Sequence, residues 1–132
     1  MVFLKKQHLA EMIAHAREEA PLEACGILAG TEGHVVKLYR ARNADCSPVS
    51  YRLQPEEQYR IFMDIEEKGW DILGIYHSHP TSAAVPSGID LKQAYYPEAV
   101  YFVVSLADPV KPHVRAFRIV EGEITEEEIG ID

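Results

Sequence analysis

The run "WDILGIYHSHP", residues 70–80, constrains this chain more than any other stretch. It is apolar, bounded by Gly69 on one side and Pro80 on the other, and about as long as a buried strand. Period-two alternation groups Ile72, Gly74 and Tyr76 on one face and Leu73, Ile75 and His77 on the other. A second run, "AVYFVVSL" at 99–106, is rich in Val and aromatics and reads as another buried strand. Two such strands need a sheet covered on both faces, so the rest of the chain has to supply its flanks.

The flanks are legible. "KKQHLAEMIAHAREEA", residues 5–20, reads as an amphipathic helix burying Leu9, Met12, Ile13, Ala16 and Ala20, stopped by Pro21. "ACGILAG" and "HVVKLYRA" are split by "TEG" and read as a hairpin. "NADCSP" is a loop by composition, and "SYRL" a short strand. Pro55 opens a second helix that runs to about Lys68 and stops at Gly69, with Tyr59, Phe62, Met63 and Ile65 as its buried stripe. "SGIDLKQAYY" reads as a short helix with Ser87 near its N-cap, and "PHVRAFRIV" as a strand joined to the preceding one through "DPVKP". The fold class is α/β (α+β): one domain over residues 1–132, a central mixed β-sheet with helices packed against it.

Net charge is −8, which argues against nucleic acid and anionic membranes, both of which need a basic footprint. Six carboxylates without Lys or Arg sit in residues 121–132, and this tail reads as a solvated terminus. There is no long apolar run near the start or of membrane-spanning length. Two cysteines, Cys25 and Cys46, suit free thiols in a reducing cytoplasm. Cys25 reads as a small buried residue, and His8, His15, His34 and His113 carry no chemistry.

His77 and His79 carry the chemical signal. Two apart on a strand, their side chains share a face and reach one point. Asp90 follows 11 residues after His79, across a loop that is long enough to fold back. Two imidazoles and one carboxylate make a zinc set of the catalytic kind, with a fourth position for water. Such a site needs a base and an oxyanion donor as well. Ser87, beside Asp90, is a donor candidate or simply an N-cap. Glu23, at the edge of an apolar strand, is a base candidate or simply a helix-terminus carboxylate. By spacing alone, a His-x-His pair in a strand is often ordinary sequence.

"HSHPTSAAVPSGID" together with "PLEACGILAG" resembles the JAMM motif of the MPN+ (Mov34/MPN/PAD-1) metallopeptidases: His-Ser-His, seven residues, Ser, two residues, Asp, and an upstream Glu. The resemblance covers nearly the whole chain and is to the minimal prokaryotic type, without room for long insertions. It implies the JAMM/MPN, cytidine-deaminase-like architecture. It also implies one Zn2+ per chain on His77, His79 and Asp90, with Glu23 as general base and Ser87 stabilising the tetrahedral intermediate. The implied substrate is a ubiquitin-like sulfur-carrier protein with a Gly-Gly tail, cleaved after its last glycine. A zinc peptidase acting on other small peptides or peptidoglycan-like amides, and a non-catalytic MPN-type binding module, are the alternatives.

Overall fold

The computed structural model describes residues 1–132. Its elements are β1 (Val2–Leu4), α1 (Lys6–Glu19), β2 (Cys25–Thr31), β3 (His34–Ala41), α2 (Pro55–Glu67), β4 (Asp71–His79), α3 (Gly88–Lys92), β5 (Val100–Ser105), β6 (His113–Val120), β7 (Glu123–Glu127) and β8 (Ile129–Ile131). The eight strands form one mixed sheet in the order β7-β6-β5-β4-β2-β3-β1-β8. The pairs β4–β5, β1–β3 and β1–β8 are parallel. The run 71–79 lies at the centre of the sheet, as its apolar character demands. This is the mixed α+β fold expected of the JAMM/MPN architecture.

Each sheet face has its own core. Met12 and Ala16 of α1 pack with Leu28, Tyr76, Phe102 and Val104 on one face. Ile61 and Ile65 of α2 pack with Ile27, Ile75, Tyr101 and Val103 on the other. Gly26 lies beneath the Tyr76 ring; a Cβ there would overlap both that ring and the Tyr39 carbonyl. The sheet also curls. Its terminal strands β7 and β8 are separated by a single residue, Glu128, whose carbonyl accepts the Val2 N–H at 3.1 Å.

Several expectations are corrected. The 121–132 tail is solvent-exposed, as read, but it is not a loose terminus: it forms β7, paired antiparallel with β6, and β8, paired with β1. Its charges are matched across strands, Glu126 by Arg115 at 2.6 Å. "SYRL" makes no strand, only a single bridge between Leu53 and Asn43. In α2 the buried residues are Ile61 and Ile65, whereas Tyr59 (66%) and Met63 (47%) face outward. In α1, His8 and His15 are buried and Ala20 is exposed. His8 Nδ1 accepts from the Lys5 N–H, closing the helix start, and His15 Nδ1 bonds the Tyr76 hydroxyl at 2.7 Å. The β4 alternation breaks as well. A register shift opposite Leu28/Ala29 inserts one residue, so Leu73 joins the α1 core while Ile72 joins the α2 core.

Candidate metal centre

Beyond that bulge the period-two rule holds, and Ile75, His77 and His79 project from one face of β4, the α2 side. Asp90 arrives from α3. Ser87 is its N-cap: Ser87 Oγ accepts the Asp90 N–H at 3.1 Å, and Asp90 Oδ2 accepts the Ser87 N–H at 2.8 Å. This reciprocal pair locks the loop's return and aims the carboxylate at the strand. The loop is pinned again where Ser105 Oγ donates to the Ser82 carbonyl at 2.6 Å.

The three side chains converge. Asp90 Oδ2 lies 2.9 Å from His77 Nε2 and 3.0 Å from His79 Nε2, and the two Nε2 atoms are 3.1 Å apart. All three residues are at most 4% exposed. His79 Nδ1 is 2.9 Å from the Ala83 carbonyl, which only accepts, so the neutral ring carries its hydrogen on Nδ1 and turns the Nε2 lone pair inward. That lone pair faces a carboxylate oxygen. The arrangement is repulsive unless a proton or a cation sits among the three atoms. Asp90 Oδ1 and His77 Nδ1 are buried without hydrogen-bond partners, and the three side chains form a group able to hold a metal ion. The donor set, two imidazoles and a carboxylate, fits zinc.

Electrostatics follow from burial and from this clustering. Burial lowers His77. Burial opposes charge on His79 too, but hydrogen bonds to Asp90 and the Ala83 carbonyl outweigh it and leave that ring raised. Burial would raise Asp90, yet the two imidazoles and the Ser87 N–H hold it well below the usual carboxylate range.

Glu23 enters from the strand next door. Cys25 pairs with His77, so two residues earlier the chain comes level with His79. The approach is clamped: Ala24 N–H donates to Ser78 Oγ at 2.7 Å, and the Ser78 N–H donates to the Ala24 carbonyl at 3.0 Å. Glu23 N–H donates to the Ser47 carbonyl, and Asn43 Nδ2 donates to the Glu23 carbonyl. Its side chain is 2% exposed, and Oε1 has no partner. Burial pushes its carboxyl up to about 8; His79 opposes that shift and Asp90 adds to it.

The structure thus brings Glu23, His77, His79, Ser87 and Asp90 to one place. Sequence reasoning missed Tyr51, whose ring stacks on His77 at 4.4 Å between centroids and 15° between planes. It lies in "SYRL", which reads as a short strand but is a loop with a single bridge, so no alternation marked its ring for the site. Ser78, the middle residue of His-Ser-His, was also passed over, although it faces away from the imidazoles and secures the Glu23 segment. Cys25 is buried, and burial pushes its thiol up to about 12; both cysteines are free. No helix is long and apolar enough to cross a membrane.

The chain is similar to known proteins. The sequence profile of the family described as prokaryotic homologs of the JAB domain matches residues 5–120. The chain is 42% identical to a CysO-cysteine peptidase of Mycobacterium tuberculosis over 122 residues, 91% of this chain and 84% of that protein. It is 42% identical to a desampylase of Haloferax volcanii over 101 residues, covering 71% and 73% of the two chains. The solution structure of protein DSY2949 from Desulfitobacterium hafniense superposes with a TM-score of 0.90 at 39% identity, over 100% of this chain and 93% of that one. The relatives are hydrolases, and the chain belongs to the prokaryotic branch of the JAB/JAMM (MPN+) peptidase family.

Proposed function

We propose that this hydrolase is a zinc-dependent peptidase or isopeptidase that cuts the amide bond after the C-terminal glycine of a ubiquitin-like sulfur-carrier protein. The observation that carries the zinc is the convergence of two buried imidazoles and a buried carboxylate, with His77 Nε2, His79 Nε2 and Asp90 Oδ2 within 3.1 Å of one another. The substrate class rests on the names of the relatives, a CysO-cysteine peptidase and a desampylase.

His77, His79 and Asp90 hold the ion. Bound there, zinc supplies a Lewis acid that makes water acidic near neutral pH and polarises the scissile carbonyl. Glu23 is the general base. Its buried Oε1 has no partner and, as a carboxylate, is the oxygen to take the water's proton and return it to the leaving amine. Ser87 is the oxyanion donor: its oxygen already accepts from the Asp90 N–H, which leaves its own O–H to donate. A Gly-Gly tail suits the site because it is thin and extended and can thread a narrow groove. The same reading places the protein in the cytoplasm, where two free thiols persist.

The test is a ubiquitin-like protein fused through its Gly-Gly tail to a reporter, assayed beside short peptides without a folded partner. The proposal expects the fusion to be cut faster and cleavage to stop on chelation and return with zinc. Faster turnover of the free peptides would contradict the substrate, and chelator-insensitive cleavage would contradict the metal.

A further inference from the structure

A cavity of about 250 Å³ opens beside the metal centre, between α2 and the segment that follows α3. Ile75 and its β5 partner Tyr101 form the floor, Leu53 and Tyr51 one wall, Gln58 and Gln93 another. Its size decides its use. Pockets for whole small molecules run from about 300 to 1,000 Å³, so this one has room for a single large side chain. Tyr51 is the wall it shares with the site: the same ring that lines the cavity stacks on His77.

Distance along the strand identifies the occupant. Ile75 lies two residues before His77 on the same face, about 7 Å away along an extended strand. Both edges of β4 are paired, so a substrate tail has to lie over this face; extended from its last carbonyl at the metal centre toward Ile75, it places the residue two positions upstream about 7 Å back as well. In a Gly-Gly tail that residue is the first with a side chain. The lining chemistry selects its type. Six of the ten lining residues are hydrophobic and none is acidic, and the one cation, Arg52, is paired with Asp45 at 3.3 Å. Gln93, on the cavity wall, keeps its Oε1 buried without a partner, an acceptor that a small turn of the side chain would offer to a tail backbone N–H.

We infer that this cavity is a specificity subsite that takes a large apolar side chain from the residue immediately before the two glycines. The inference rests on the proposed Gly-Gly-tail activity. It makes the enzyme a reader of an apolar-Gly-Gly ending, not of Gly-Gly alone.

The experiment uses the wild-type protein and a series of Gly-Gly fusions in which the preceding residue is Leu, Phe, Gly or Lys. The expected result is that kcat/KM for Leu or Phe exceeds that for Gly by about tenfold or more and that for Lys by at least as much, mainly through KM. Gln93→Ala, at a half-buried position, is expected to lower kcat/KM several-fold on the Leu fusion while its zinc content stays that of wild type. Rates within twofold across the series would overturn the subsite and leave the proposed function standing. Rates governed by the residue after the scissile bond would overturn it too, by assigning the cavity to the leaving group. Cleavage of short peptides with none of the fusions cut would overturn the proposed function, and the subsite with it.

Discussion

At the scale of single residues Glu23 is the decisive side chain. Its burial separates two properties that usually travel together, ligand binding and proton transfer. Glu23→Gln is expected to keep zinc at wild-type content and to lower kcat by about 10²-fold or more, read from metal analysis and turnover on the same sample. The shift also predicts a stability effect in metal-free protein. The carboxyl titrates near its ordinary 4.5 in the unfolded chain and near 8 in the fold. Below the lower value both states are protonated and nothing is lost. Between the two, the folded state retains a proton that the unfolded chain has released, so stability falls as pH rises through that window. Glu23→Gln removes this fall. Its melting temperature in chelator is expected to exceed that of wild type at pH 8 by roughly 3 °C or more and to match it at pH 4.5. Tyr51 is the second residue of interest. His79 is oriented by a carbonyl, but His77 Nδ1 has no polar partner, so stacking on Tyr51 sets its plane. Tyr51→Leu is expected to weaken zinc binding by about tenfold, the scale on which groups orienting a ligand act. Tyr51→Phe is expected to leave it near wild type, as competition with a chromogenic chelator would read.

At the scale of elements, the parts of the site that obey a period were legible and the parts set by close approach were not. Alternation placed His77 and His79 on one face, and the Ser87 N-cap with Asp90 in the first helical turn was visible as Ser-x-x-Asp. The bulge at Leu73 was invisible, because both phases of the run are apolar and either could face a core. The same ambiguity misled the reading of α2. Tyr59/Met63 and Ile61/Ile65 are each four apart, so one helix offers two apolar rows, and only packing against β4 decides between them. Tyr51 left no trace as a site residue because its segment folds as a loop, without the period of a strand. The close approach of β2 to β4 is a matter of space: Gly26 is where the Tyr76 ring lies. Gly26→Ala is expected to destabilise the fold by about 1–3 kcal/mol, as denaturant unfolding would measure, and to lower metal occupancy by displacing the strand that carries His77.

At the scale of the whole molecule, the acidic tail is where composition and structure part company. Carboxylates suggested a free terminus, yet Arg115 and Arg118 meet Glu126 and Glu127 across the β6–β7 ladder, and the chain goes on to pair with β1. Charge counted along the sequence takes no account of partners contributed by a neighbouring strand. Truncation after Val120 is therefore expected to expose β1 and β6 edges and yield a less stable, aggregation-prone protein, checked by thermal melting and light scattering; an unchanged melt would contradict a stabilising role for the paired tail. The central sheet, the helix order and the converging His-His-Asp group were all within reach of the sequence, because each follows from burial, period or cap. What holds them in register came from contacts between residues far apart in the chain.

The claim on which the rest depends is that His77, His79 and Asp90 hold a hydrolytic zinc. Elemental analysis of purified wild type beside His77→Ala, each confirmed folded, tests it most directly. About one zinc per chain is expected in wild type, and its loss in His77→Ala. No zinc in folded wild type after zinc has been supplied, or undiminished zinc in His77→Ala, would contradict it.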